Sequence, residues 1–154
     1  MKTIKLILSL VTILAIGNSV DAQIPPVDKN KVAIGGYDVV SYFSGEAKRG
    51  FESFSAQNKG ITYYFHTKAN RAAFQKSPER YLPQFGGYCA WGVGAKSAKF
   101  PIDPESYDII DGKLYLFFNA PFNGEQFNTI LDWNKRTTEL HMAAHKNWGK
   151  VKNM

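Results

Sequence analysis

This chain is poor in the side chains that most reactive chemistry needs. It has one cysteine in 154 residues. That excludes an intramolecular disulfide, a zinc ribbon, an iron–sulfur cluster held by this chain alone and a CxxC redox pair. Three histidines and no Gly-x-Ser-x-Gly elbow leave no serine-hydrolase triad to assemble. There is no P-loop, and Gly86-Gly87 and Gly92-x-Gly94 lack the flanking strand and helix of a dinucleotide fingerprint. No internal repeat or low-complexity tract is present, the apolar run Leu6 to Gly17 is too short to cross a bilayer comfortably, and no second long apolar run follows. Neither sign of charge dominates. The 19 Lys and Arg against 13 Asp and Glu are scattered, as at Lys48-Arg49, Lys96, Lys99 and Lys135-Arg136. Such scatter reads as solvated surface, and no nucleic-acid partner is expected.

What is present begins with an export pattern. Lys2 and Lys5 precede an uncharged apolar run, Leu6 to Gly17, and Val20-Asp21-Ala22 puts small residues where a signal peptidase reads. Residues 1–22 are therefore read as a cleaved signal peptide. The mature chain would be periplasmic or secreted, with no stable membrane anchor. Its 3 Trp, 8 Tyr and 11 Phe all lie after residue 22, an aromatic load that can stabilise so small a domain without disulfides.

Local signals then give a fold. Residues 23–31, with Pro25-Pro26, read as an extended leader. Gly35-Gly36 marks a turn, and Asp38 can cap a short helix through Phe43 that Gly45 closes. Phe51 to Gln57 and Ile61 to Phe65 flank the turn Asn58-Lys59-Gly60 as one hairpin; residues 107–110 and 113–118 flank Asp111-Gly112 as a second. Thr67 caps a helix from Lys68 to Gln75, and Pro78 starts a helical turn through Tyr81. Leu82 to Pro104 reads as irregular, and Phe122 to Trp148 as helical, with a possible break at Asn134. The expectation is a small single α+β domain over 32–148, an antiparallel sheet made from two hairpins with helices packed on one face, and a short tail over 149–154.

The stretch Tyr63-Tyr64-Phe65-His66-Thr67-x-x-Asn70-x-x-x-Phe74-x-x-x-Pro78-Glu79-x-Tyr81 resembles the YHS domain, a small metal-associated module. The short form of that family reads Tyr-x-Phe-Cys-Ser-x-x-Cys, a Phe four residues on, then Pro-Glu-x-Tyr. An upstream Asp-Pro-Val-Cys-Gly motif aligns with Asp38-Val39-Val40-Ser41. The family's three cysteines thus fall on Ser41, His66 and Asn70 here, and the short form's ligand set is almost gone. With Gly86-Gly87-Tyr88-Cys89-Ala90 and Gly36 to Phe43 added, the chain looks like the longer, exported bacterial YHS-type proteins. The resemblance implies the fold of that family and an association with metal.

Cys89 has three readings: a buried small hydrophobe under aromatic rings, a soft ligand for copper or zinc, or a reactive thiol made acidic by Lys96 and Lys99. His66 stands where the family has a ligand cysteine, and imidazole is itself a ligand for both metals. His141 and His145, four apart on the expected C-terminal helix, present their rings on one side and can clamp a divalent ion, or can line a wet helix face. Met142 follows His141 where a zinc protease would have Glu.

The leading expectation is a binding module that holds or transfers a soft transition metal, copper ahead of zinc, through Cys89 and histidine, with a metal ion or another exported metal-handling protein as partner. Gly86-Gly87 would let the Cys89 backbone approach His66 at the wall of an aromatic pocket. An alternative is a metal-free ligand or protein-interaction domain with a cleft built from Tyr37, Asp38, Tyr42, Tyr88 and Trp91. A third reading is a thiol-dependent redox accessory. Processing after Ala22 is checked by intact-mass measurement of the exported protein, which should begin at Gln23.

Overall fold

The computed structural model describes residues 23–154, so the signal-peptide reading lies outside the described residues. The elements are β1 (Phe51–Asn58), β2 (Ile61–Phe65), α1 (Lys68–Lys76), α2 (Pro78–Tyr81), α3 (Ala90–Lys96), β3 (Asp103–Ile110), β4 (Lys113–Phe117), β5 (Asn119–Phe122), β6 (Glu125–Asn128), α4 (Thr129–Lys135) and α5 (Thr137–Val151). Short 3-10 turns cover Ile34–Gly36, Ser41–Ser44 and Gln84–Gly87. The chain is α+β, as expected. Among the described residues no helix is long and apolar enough to cross a membrane.

Three hairpins form, and each closes through the same device. Lys59 and Gly60, Asp111 and Gly112, and Asn123 and Gly124 all have positive φ, 50° and 77°, 50° and 68°, 52° and 83°. Two successive left-handed residues make a type I′ turn, whose twist matches that of paired strands. The third hairpin, β5–β6, occupies residues that the sequence pattern assigned to a helix starting at Phe122. Asn123-Gly124 overrides that pattern, because the left-handed pair ends a helix and opens a two-residue loop.

The hairpins do not join into the single sheet expected from sequence. Among the described residues strands pair only as β1–β2, β3–β4 and β5–β6. The free edge of β2 is taken by the leader: Ala33 N donates to Thr62 O at 2.9 Å and Thr62 N to Lys31 O at 2.8 Å. Ile24 exchanges backbone bonds with Ile102, one residue before β3. Residues 23–33 thus shield strand edges that would otherwise seek partners. Nor does β4 present one face to helices and one to water, since Leu114, Tyr115, Leu116 and Phe117 are all buried.

The region expected to be irregular, Leu82 to Pro104, contains α3. Its glycines, poor helix formers, are there for packing. A β-carbon on Gly94 would stand 2.7 Å from the backbone O of Leu140 in α5 and 3.5 Å from the Ala144 β-carbon. Asn147 of α5 completes the contact by donating to the carbonyls of Val93 and Gly94, at 3.0 and 3.3 Å, where α3 runs out of internal donors. The C-terminal helix runs past Trp148, and buried Val151 in its last turn anchors what was expected to be tail. The break between α4 and α5 comes at Arg136, two residues beyond Asn134.

The α3–α5 contact gives a test in which two effects oppose. Alanine is the better helix former by about 1 kcal/mol, yet the carbonyl of Leu140 cannot move without shifting α5. Gly94→Ala should lower the unfolding free energy by about 1–3 kcal/mol through overpacking. Urea denaturation checks it, and a more stable variant would mean that the helices separate freely.

Candidate functional site

Asp38 organises the N-terminal half. Its carboxylate is fully buried. Oδ1 accepts from Val40 N at 2.8 Å and Ser41 N at 3.3 Å, starting the 3-10 turn, as the capping reading anticipated. Oδ2 accepts from His66 N at 2.8 Å and Asn70 Nδ2 at 2.7 Å. Ser41, His66 and Asn70, the three positions where the family resemblance sets cysteines, therefore meet at one carboxylate. The Ser41 hydroxyl is also occupied, donating to Asp38 O at 2.8 Å and accepting from Lys48 N at 3.1 Å. This set does not suit a metal, because its polar groups are spent on one another.

The His66 ring points elsewhere. Nδ1 lies 3.0 Å from Arg49 O and must carry the proton to bond that carbonyl, and the ring packs 5.4 Å from Phe51. Cys89 has a separate set of partners at the N-terminus of α3. Its sulfur accepts from Phe118 N at 3.3 Å and lies 3.4 Å from Thr129 Oγ1, which itself donates to Phe118 O at 2.9 Å. No hydrogen bond links Cys89 and His66, and none of the partners of one is a partner of the other. Burial pushes the Cys89 thiol up, which holds it neutral. Lys96 does not acidify it: that ammonium stands 5.5 Å over the Trp91 ring. Lys99 stands 5.4 Å over the Tyr88 ring and donates to Lys152 O. Of the three readings of Cys89, the geometry matches the buried small hydrophobe.

The Gly86-Gly87 turn also serves another end. Phe85, Gly86 and Gly87 take φ of 55°, 61° and 83°. This left-handed run sets the Phe85 ring 5.1 Å from His145, 5.8 Å from Tyr115 and 5.8 Å from Trp148.

That aromatic wall borders a point where a phenol and two imidazoles meet within hydrogen-bond distance of one another. Tyr115 stands on β4, and its ring packs 5.9 Å from buried Trp133. Its hydroxyl lies 2.8 Å from His141 Nε2 and 3.2 Å from His145 Nε2, and the two Nε2 atoms are 3.3 Å apart. The four-residue spacing on α5 brings the imidazoles together, and β4 adds the phenol from across the interface. Burial and the neighbouring His141 hold the His145 pKa below its ordinary value, favouring the neutral ring with a free lone pair. Tyr115 is pushed up by burial, so without an ion it is a phenol. His145 is exposed, which leaves a path from solvent. Among the described residues no group of three or more His, Cys, Asp and Glu is gathered for a metal. The third side chain at this point is a tyrosine, the member the sequence reading missed.

The expected cleft is dispersed. Tyr37 donates to Glu105 at 2.9 Å under the Arg49 guanidinium, and Tyr42 is buried, donating to Pro104 O at 2.8 Å. Asp38 is enclosed, and Tyr88 lies beneath Lys99. Only Trp91 borders an aromatic cleft, together with Phe100, Phe118, Phe122 and Phe127 rather than the tyrosines.

No protein-family model, curated protein or solved structure matches this chain.

The Asp38 centre is tested by substitution. Asp38→Ala strands buried donors at His66 and Val40 and should cost about 3 kcal/mol or more, since each unsatisfied buried group costs roughly 1–3 kcal/mol. Asp38→Asn keeps the shape and one acceptor and should fall between the two in thermal unfolding.

Proposed function

We propose that this protein binds a divalent transition metal, copper(II) ahead of zinc(II), through His141, His145 and Tyr115. The observation that carries the reading is the donor triangle, with sides of 2.8, 3.2 and 3.3 Å. Donors bonded at roughly 2.0–2.1 Å to one tetrahedral ion lie about 3.3 Å from each other. The three atoms are therefore spaced as ligands on one face of an ion need to be, and the remaining positions face the solvent side of His145. Two imidazoles and a phenol are borderline donors without a thiolate. They favour Cu(II) over Zn(II) by the general order of divalent affinities, and they do not favour Cu(I).

This narrows the expectation formed on Cys89. The neutral, enclosed thiol is withdrawn from the ligand set, and His66, whose Nδ1 bonds Arg49 O, shares no partner with it. An open three-donor site suits exchange of an ion with a partner better than permanent storage. Kinship with the YHS-type proteins and export belong to the same proposal. They are supported by the convergence of Ser41, His66 and Asn70 on one point and by the apolar run after Lys5.

Isothermal titration with Cu(II) and Zn(II) tests it. One equivalent of copper should bind. His141→Ala or His145→Ala should weaken binding by at least about 100-fold, beyond the loss typical of groups that merely orient ligands. Tyr115→Phe keeps the ring packing and should weaken binding while abolishing any phenolate-to-copper absorption in the visible range. Cys89→Ser should leave stoichiometry and affinity unchanged. Absence of stoichiometric binding to the unsubstituted protein, or its loss in Cys89→Ser alone, would overturn the reading.

A further inference from the structure

A second concave feature lies between the segment that follows α3 and the β5–β6 hairpin. It has a volume of about 690 Å³ and is lined by Trp91, Lys96, Phe100, Phe118, Phe122 and Phe127, with Pro101 beside them. That volume is within the roughly 300–1,000 Å³ of small-molecule sites. The rings meet at angles, with Trp91 and Phe127 edge to face at 5.3 Å and Phe118 6.0 Å from Phe127. They present edges and faces toward the space between them, the arrangement into which another ring inserts. Phe122, at the tip of β5, is 59% exposed. Its ring stands 6.1 Å from Phe127, so it extends the row of rings to the rim of the cleft, where an occupant reaches it from solvent.

The polar content of the cleft is small and of one sign. Lys96 is the one charged residue of the lining, and among the described residues it forms no ion pair. Asp132, the acid bonded to Trp91, is already engaged: it accepts from the Trp91 indole at 2.7 Å and from Arg136 at 3.2 Å. What remains for an occupant is an apolar slot with one ammonium beside it.

We infer that this cleft binds a small ring-bearing carboxylate, its rings against Trp91, Phe122 and Phe127 and its anionic group on Lys96. The site is distinct from the His141–His145–Tyr115 triangle, shares no residue with it and does not depend on the metal reading.

The probes are 2-naphthoate, its neutral counterpart 2-naphthalenemethanol, and decanoate, titrated into the purified protein in buffer containing a chelator so that no metal takes part. Affinity is read by calorimetry, and the site by the indole N–H signal of Trp91 in nitrogen-15 NMR spectra. Naphthoate should bind saturably at one equivalent and shift the Trp91 signal. Lys96→Met should weaken it roughly tenfold, the loss of one charge-assisted contact, and the neutral alcohol should bind the unsubstituted protein more weakly by a similar factor. Phe122→Ala, at the exposed end of β5 where folding is least affected, should weaken naphthoate by at least about tenfold. Decanoate should bind less tightly than naphthoate. No saturable binding, binding that leaves the Trp91 signal in place, or equal affinity in Phe122→Ala would overturn the site. Equal affinity for acid and alcohol would overturn its assignment to anions, and tighter decanoate binding its assignment to rings.

Discussion

A carboxylate buried without a cation must be surrounded by donors, and the N-terminal half of this protein is built around that requirement. Asp38 meets it with four N–H groups drawn from three places: the 3-10 turn that follows it, the end of β2 and the first turn of α1. Isolated, such a charge would cost several kcal/mol to bury. Here the requirement becomes a positional constraint, because only one placement of β2 and α1 satisfies both oxygens. The ring cluster of Tyr63, Phe65 and Phe74, at 4.8 and 5.1 Å, then closes over the same junction.

The C-terminal half is held by apolar contact instead. Strand β4 is buried along Leu114 to Phe117, and α5 is drawn onto α3 by Gly94 and Asn147. The consequence for chemistry is a division of labour. In the half locked by hydrogen bonds, the polar groups around Asp38 are satisfied by one another. The half locked by packing leaves polar groups at the margin of the core, where the Tyr115 hydroxyl meets two imidazoles and Lys96 borders the aromatic cleft. Both candidate sites therefore belong to the same half and share no residue.

Much of this fold was legible because its signals are local. Thr67 caps α1 by accepting from Asn70 N, Pro78 opens α2, and two type I′ turns stand where Asn58-Lys59-Gly60 and Asp111-Gly112 announce them. Asn123-Gly124 carries an equally clear signal, but the apolar residues beyond it keep a helical spacing, which hides the turn and β6 inside an apparent helix from Phe122. Helix α3 was hidden because its glycines answer to α5, some 50 residues away, and a tertiary contact leaves no mark on local propensity. The histidine pair was visible through its spacing. Its third member was not: Tyr115 is one of 8 tyrosines, and only the packing of β4 beneath α5 distinguishes it from the others. The character of Cys89 is not legible in the sequence for a related reason: it depends on Thr129 and Phe118, which only the fold brings to its sulfur.

The enclosure of Cys89 has a practical corollary. A chain whose single thiol is fully buried and held protonated presents no background to sulfhydryl reagents while folded. Any cysteine engineered onto the surface becomes the unique attachment point for a spin label or fluorophore, with the natural residue left in place. Distances from such labels to a paramagnetic ion, or between labels on β5 and α5, can then be measured in the otherwise unaltered protein.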